Sequence, residues 1–284
     1  MSVDDLAVEA LVRASLAEDL GLAGDVTARA CIPEALRMKA VLASRKPGIV
    51  SGVACAVAAF RLTDASTTVE VHLNDGDTVA AGQAVLTVEG SARAVLAAER
   101  TALNLMSRLC GVATLTRRYV EAVAGTRARI ADTRKTTPGL RALEKAAVKA
   151  GGGVNHRFGL FDAVLIKDNH LAVCGGVEAA VTAARASVGH LVRIELEVDG
   201  LDQLDRALAL VDAGMGPDVV MLDNFALGDL SEAVGRTRGR VVLEASGGVN
   251  LDTVRAIAET GVDVISVGAL THSAPILDLG LDAT

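Results

Sequence analysis

Three short segments carry the residue types from which anion chemistry is built: ADTRKTTPGLR from Ala131 to Arg141, GGGVNHR from Gly151 to Arg157, and LIKDNH from Leu165 to His170. Between Arg127 and Lys167 stand nine Lys or Arg against three acids, Asp132, Glu144 and Asp162. The span is +6 within a chain of net charge −7, which leaves −13 for the remainder. A local reversal of that size, threaded with glycine, attracts and holds a polyanionic small molecule. Guanidinium groups grip carboxylates through paired hydrogen bonds, and glycine lets the backbone approach phosphate closely.

The elements that must position these groups follow from patterning. Val3 to Leu20 reads as an amphipathic helix and Met38 to Gly90 as strands. Thr67 to Gly90 alternates apolar and polar residues around turn signals at Asp75, Gly76 and Gly82, which predicts a β-sandwich-like sheet. The same DGD and AG pattern occurs in carrier domains that bear a cofactor on a hairpin lysine, but this run has no lysine. Ala92 to Leu109 is helical, Cys110 and Gly111 interrupt it, and a second helical run reaches Val123, so a hinge between domains is expected there. Beyond it AVLIKDN, IELEVD, VVMLDN, VVLEASGG and VISVGA alternate with helical patterns at Val177 to Ala186, Leu201 to Val211, Leu227 to Arg236 and Leu251 to Glu259. Such alternation means parallel βα units.

Open sheets and barrels share that alternation, and the acids inside the strands decide between them. In Ile194 to Asp199 the strand period puts Glu195, Glu197 and Asp199 on one face and Ile194, Leu196 and Val198 on the other. A core strand with acids on one face needs a polar lumen, which a barrel has. The expected fold is α/β: a TIM-like β/α barrel, complete or incomplete, over 112–273, behind an N-terminal α+β domain over 1–111, with a C-terminal tail, 274–284, returning to that domain.

Composition excludes several partners. Aromatics are 2%, with no Trp and one Tyr, so stacking platforms for nucleic acid are missing, and the acidic balance argues the same way. No apolar run has bilayer length and the first residues lack a secretion-signal pattern, so no membrane association and a cytoplasmic location are expected. Cys31, Cys55, Cys110 and Cys174 have no CxxC spacing and are expected to be small buried core residues without disulfides or structural zinc.

Taken in order, GDVT (Gly24 to Thr27), AERTALN (Ala98 to Asn104), the three basic segments, LDNF (Leu222 to Phe225), LEASGG (Leu243 to Gly248) and VGALTHS (Val267 to Ser273) resemble the quinolinate phosphoribosyltransferase family over nearly the whole chain. That family makes nicotinate mononucleotide from quinolinate and phosphoribosyl pyrophosphate, releasing pyrophosphate and carbon dioxide, in de novo NAD synthesis. The resemblance implies that Arg134, His156 and Arg157 hold the two carboxylates, with Thr133 and Lys167 nearby and Arg100 supplied by the neighbouring subunit of a homodimer. It implies Lys135 near the pyrophosphate and the reacting carboxylate, and Glu197 and Asp223 as acids for the ribose and its Mg2+, which makes Lys135, Glu197 and Asp223 the catalytic set. A strand-end acid can also simply cap the next helix.

For the 5′-phosphate, Ser246, Gly247 and Gly248 precede the helix expected near Leu251, and Gly268 and Ala269 end the last strand; helix N–H groups would receive the anion. Glu195 and Glu244 are further lumen candidates, and His170 is read as positioning Lys167. The chain departs from many relatives at Ala146 and Ala147, where they carry an aromatic, and at Cys110, where they carry Ser; neither is an expected contact. Two rivals are a phosphoribosyltransferase for a monocarboxylate such as nicotinate, which needs fewer cations, and a barrel paralogue serving molybdenum uptake as an anion-binding protein. The intact TRK, NHR and AERT set tells against the first, and KDNH with LDNF against the second.

Overall fold

The computed structural model describes residues 5–284, so Val3 and Asp4 of the expected first helix lie outside the described residues. In chain order the first elements are α1 (Asp5–Leu20), α2 (Val26–Cys31), β1 (Arg37–Ser44), β2 (Gly48–Ile49), α3 (Val53–Thr63), β3 (Thr68–Val71), β4 (Thr78–Val79), β5 (Ala84–Ser91) and α4 (Ala92–Ala122). There follow β6 (Arg129–Ala131), α5 (Arg141–Ala150), β7 (Val164–Ile166), α6 (Asp168–Cys174), α7 (Val177–Ser187), β8 (Ile194–Val198) and α8 (Leu201–Asp212). The last are β9 (Val219–Asp223), α9 (Leu227–Thr237), β10 (Val242–Ser246), α10 (Val254–Glu259), β11 (Val264–Ser266), α11 (Ala269–His272) and β12 (Leu279–Ala283).

The chain divides into two compact units. One holds the described residues up to Arg117 together with Thr136–Gly152 and Leu270–Thr284; the other holds Arg118–Lys135 and Gly153–Ala269. By contacts, α5 and the loop before it group with α4. Glu144 on α5 is fully buried and its Oε1 accepts from Arg108 Nε at 3.1 Å and Nη2 at 2.8 Å and from Thr137 Oγ1 at 2.8 Å. Its Oε2 accepts the Thr137 N–H at 3.0 Å, while Arg108 also donates to the carbonyls of Ala274 (3.1 Å) and Thr271. One carboxylate thereby joins α4, α5, the TTPG loop and the C-terminal segment.

In this first unit β12, β1, β5 and β3 form an antiparallel sheet in that order, with Ala40 opposite Ala283 and Ser44 opposite Leu279, and β2 pairs separately with β4. Two expectations are corrected here. The stretch read as strands contains a helix, α3, whose first N–H groups, on Gly52 and Val53, are both received by the Asp75 carboxylate at 3.0 Å. That cap is supplied from another strand-connecting turn, so it leaves no local signal. Second, α4 runs through Cys110 and Gly111 without a break. Gly111 is needed for close approach, since a Cβ there would collide with the Pro275 carbonyl, and Cys110 Sγ exchanges hydrogen bonds with Ser51 N and O at 3.2 Å.

The second unit is a parallel sheet in the order β6, β11, β10, β9, β8, β7, with Val154 bridging to Ala131 beside β6. Helices α7 and α8 pack on β8, whose five residues are all buried. His156, two residues beyond Val154, touches Glu195 on β8 at 2.8 Å. Four strands lie between them in sheet order, and five strand spacings in a flat sheet would span about 24 Å. The sheet is therefore rolled, and since no pairing joins β7 to β6 or Val154 among the described residues, the β/α barrel is incomplete.

Removing the Glu144 carboxylate strands the Arg108 guanidinium and the Thr137 donors. Glu144→Ala is expected to lose about 3 kcal/mol of stability, to be read as a lowered midpoint in denaturant unfolding beside an unchanged slope; a midpoint equal to that of the parent would remove this clamp as a structural keystone.

Candidate active site

The strands of the second unit all present their carboxyl ends to one rim, where barrel sites are built. Beyond β6, Asp132 is fully buried; its Oδ2 accepts from Asn155 Nδ2 at 2.6 Å and its Oδ1 from the His156 N–H at 2.9 Å. Two basic segments far apart in sequence are thus pinned together. Thr133 Oγ1 accepts the Lys135 N–H at 3.0 Å and turns the chain so that Lys135 is exposed.

Arg134 and Arg157 are half-buried, and the Nε of each is buried without a hydrogen-bond partner. Arg157 Nη1 donates to the Ala163 carbonyl at 3.2 Å. Burial, and then the like charge of Arg134, pull the Arg157 pKa below its ordinary value, while Glu195 and Asp162 act in the opposite sense. Two guanidiniums that repel one another, each with a desolvated donor unmet, form a site that an anion completes.

Lys167 follows β7, one residue past the Ile166–Leu196 pair, and its Nζ meets Glu197 Oε2 at 2.6 Å. Its backbone N–H donates to His170 Nδ1 at 2.9 Å, which places His170 as a support for the Lys167 backbone. Asp223 ends β9 beside Ser246 at the end of β10. Asn224, unforeseen from sequence, has φ 57°, donates its N–H to the Ser246 carbonyl at 2.9 Å and its Nδ2 to Asp223 Oδ2 at 2.7 Å. A Cβ at Gly247 (φ +95°) would run into Asn224, which is why glycine stands there.

The phosphate expectation needs one correction: α10 begins at Val254, so Gly247 and Gly248 do not abut a helix N-terminus, whereas α11 begins at Ala269 directly after Gly268. Any anion held at the glycine pair meets turn backbone.

At the floor of the rim lie His156, Glu195 and Glu244, with one ligand-type atom of each within 4.8 Å of the others. His156 Nε2 is 2.8 Å from Glu195 Oε2 and 3.7 Å from Glu244 Oε1, and Nδ1 accepts the Arg157 N–H at 2.8 Å. Both ring nitrogens are engaged by protein groups. Burial, then the charge of Glu195, push the Glu244 carboxyl up to about 7.

The structure gathers Thr133, Arg134, Lys135, His156, Arg157, Lys167, Glu197, Asp223, Ser246, Gly247, Gly248, Gly268 and Ala269 into the second unit; Arg100 lies in the other, exposed on α4. Asp132 and Asn155 stand inside two of the basic segments, but their pairing across 23 positions had no local signal. Glu244 had one, an acid inside the apolar run VVLEAS. The cysteine expectation is half corrected: Cys55 and Cys110 are buried, their thiols raised by burial to about 12, but Cys31 and Cys174 are exposed.

Family comparison covers almost all of the chain. Residues 25–110 match the model of the quinolinate phosphoribosyl transferase N-terminal domain, and residues 112–282 that of its C-terminal domain. The nicotinate-nucleotide pyrophosphorylase (carboxylating) of Mycobacterium leprae is 46% identical over 276 residues, 95% of each chain. Among solved structures, the nicotinate-nucleotide pyrophosphorylase of Francisella tularensis superposes with a TM-score of 0.94 at 40% identity, covering 100% of this chain and 98% of that one. That of Ehrlichia chaffeensis gives 0.91 at 36% identity, covering 97% and 98%.

The raised Glu244 carboxyl gives the fold a pH signature. Its folded pKa of about 7 exceeds the ordinary 4.5, so the folded chain binds the extra proton between these values. The stability linked to this group is full below 4.5 and is lost as pH rises through about 7. Glu244→Gln, which cannot ionise, is therefore expected to gain in melting temperature over the parent as pH goes from about 5 to about 8; a constant difference across that range would contradict the raised carboxyl.

Proposed function

The chain belongs to the quinolinate phosphoribosyltransferase family, and from that premise we propose how its residues divide the reaction and how the protein assembles. The reaction is phosphoribosyl transfer from phosphoribosyl pyrophosphate to quinolinate with decarboxylation, giving nicotinate mononucleotide, pyrophosphate and carbon dioxide for NAD synthesis. The observation that carries the residue assignment is the pair Arg134 and Arg157, each with a buried, unmet Nε.

In this proposal Arg134 and Arg157 take the two quinolinate carboxylates through paired hydrogen bonds, and Lys167 and Thr133 border them. The pyridine nitrogen attacks ribose C1 as the bond to pyrophosphate breaks, through a transition state of oxocarbenium character. Lys135, exposed beyond Thr133, stands by the departing charge. The C–C bond to the carboxylate beside the nitrogen then breaks; its electron pair is stabilised by the pyridinium, and a proton takes the vacated position. No protein nucleophile is needed, and the work of the site is positioning and charge stabilisation.

Glu197 and Asp223 supply only oxygen donors, from the ends of neighbouring strands, which suits a hard cation that keeps much of its water. Bound with phosphoribosyl pyrophosphate, Mg2+ would be held by these two acids and would neutralise pyrophosphate charge. Ser246, Gly247, Gly248, Gly268 and Ala269 receive the 5′-phosphate through turn and first-helical-turn N–H groups. The protein works as a cytoplasmic homodimer in which the exposed Arg100 completes the partner's site; among the described residues no helix is long and apolar enough to cross a membrane.

Product formation from quinolinate and phosphoribosyl pyrophosphate with magnesium, with nicotinate run in parallel, tests the substrate. Product from quinolinate alone is expected, and product from nicotinate alone would assign a monocarboxylate site. Lys135→Ala or Arg157→Ala should abolish turnover in a folded protein, and near-normal turnover would remove that residue from the site.

Mixing Arg100→Ala with Lys135→Ala chains should restore activity through the one intact site of each heterodimer. No recovery after demonstrated subunit exchange would overturn the shared site.

A further inference from the structure

Two like-charged guanidiniums keep a fixed spacing only where the protein imposes it. For Arg157 the constraints are few: Nη1 is held by the Ala163 carbonyl, and the backbone N–H is held by His156 Nδ1 at 2.8 Å. That second bond fixes the state of the ring. A nitrogen that accepts an N–H carries no proton, so the ring proton sits on Nε2, and Nε2–H donates to Glu195 Oε2 at 2.8 Å. The same tautomer argues against a cation among His156, Glu195 and Glu244, since Nε2 has no free lone pair to offer one.

Behind Glu195 stands Glu244, 3% exposed, and Oε1 of each carboxyl is buried without a hydrogen-bond partner. Glu195 is 7% exposed and also lies near enough to Arg157 to favour its charge. On the far side of the ring, the His156 backbone is pinned by the buried Asp132.

We infer that Glu195, backed by Glu244, is a positioning residue for the dicarboxylate: it holds the His156 ring by Nε2–H, the ring holds the Arg157 backbone, and the acids act on substrate only through Arg157. The inference rests on the reading of Arg157 as a carboxylate ligand. It makes Glu195 a determinant of quinolinate affinity.

Steady-state kinetics of Glu195→Ala, with each substrate varied in turn, separates this from general damage. The KM for quinolinate should rise about tenfold, with kcat and the KM for phosphoribosyl pyrophosphate within about threefold. Glu195→Gln, whose amide oxygen still accepts the Nε2–H, should recover most of that loss. If the alanine variant does not fold, Glu195→Asp, which withdraws the acceptor by one methylene, should show the same selective rise. An unchanged quinolinate KM, an equal rise for both substrates, or no recovery in Glu195→Gln would overturn the inference. Arg157→Ala in the same assay keeps the two readings apart: its collapse beside unaltered Glu195 variants sinks only this one, and its full activity sinks the ligand reading beneath it.

Discussion

Rolling a six-stranded parallel sheet until a histidine beyond one margin touches a glutamate near the other sets what the interior of this protein can contain. Every strand then delivers its carboxyl end to a common rim, and every second residue of a strand faces the interior. On β8 those inward residues are Glu195 and Glu197, and on β10 Glu244, all more than nine-tenths buried. An acid in such a place is tolerated only with a partner or a proton. Glu197 has Lys167, Glu195 has the imidazole N–H, and Glu244 keeps a proton into the neutral range.

The rim above carries the opposite sign. Asp132 holds Asn155 and His156 and so ties the two basic segments together. Arg134 and Arg157 remain partly desolvated and mutually repelled. The resulting arrangement is an electrostatic deficit that a small, doubly charged planar molecule can fill.

Much of the barrel was legible because β8 writes its two faces in alternate letters: Ile194, Leu196 and Val198 against Glu195 and Glu197. The helices that follow the strands carried the matching longer period. Other features had no local expression. The three residues of β6 are too few for any period, and α3 is capped by an aspartate 22 positions away. Gly111 looked like a break because glycine is a poor helix former, yet its role is to let another backbone pass. The site's basic residues were recognisable as a set through family resemblance and the strand acids by their alternation, whereas the pairings between them appear only once the sheet is rolled.

The final strand has a consequence for how the chain is made. β12 adds to β1 with a register spanning residues 40 to 283, and the segment before it lies against Gly111 on α4. The first unit is therefore built from segments that come before, within and after the rolled sheet in chain order. During synthesis the second unit has all its strands before the first has its edge, and β1 waits with an unpaired flank until Leu279–Ala283 emerges. The sheet that opens with β1 thus closes across a long sequence separation, the kind of pairing that carries the largest loop-closure cost.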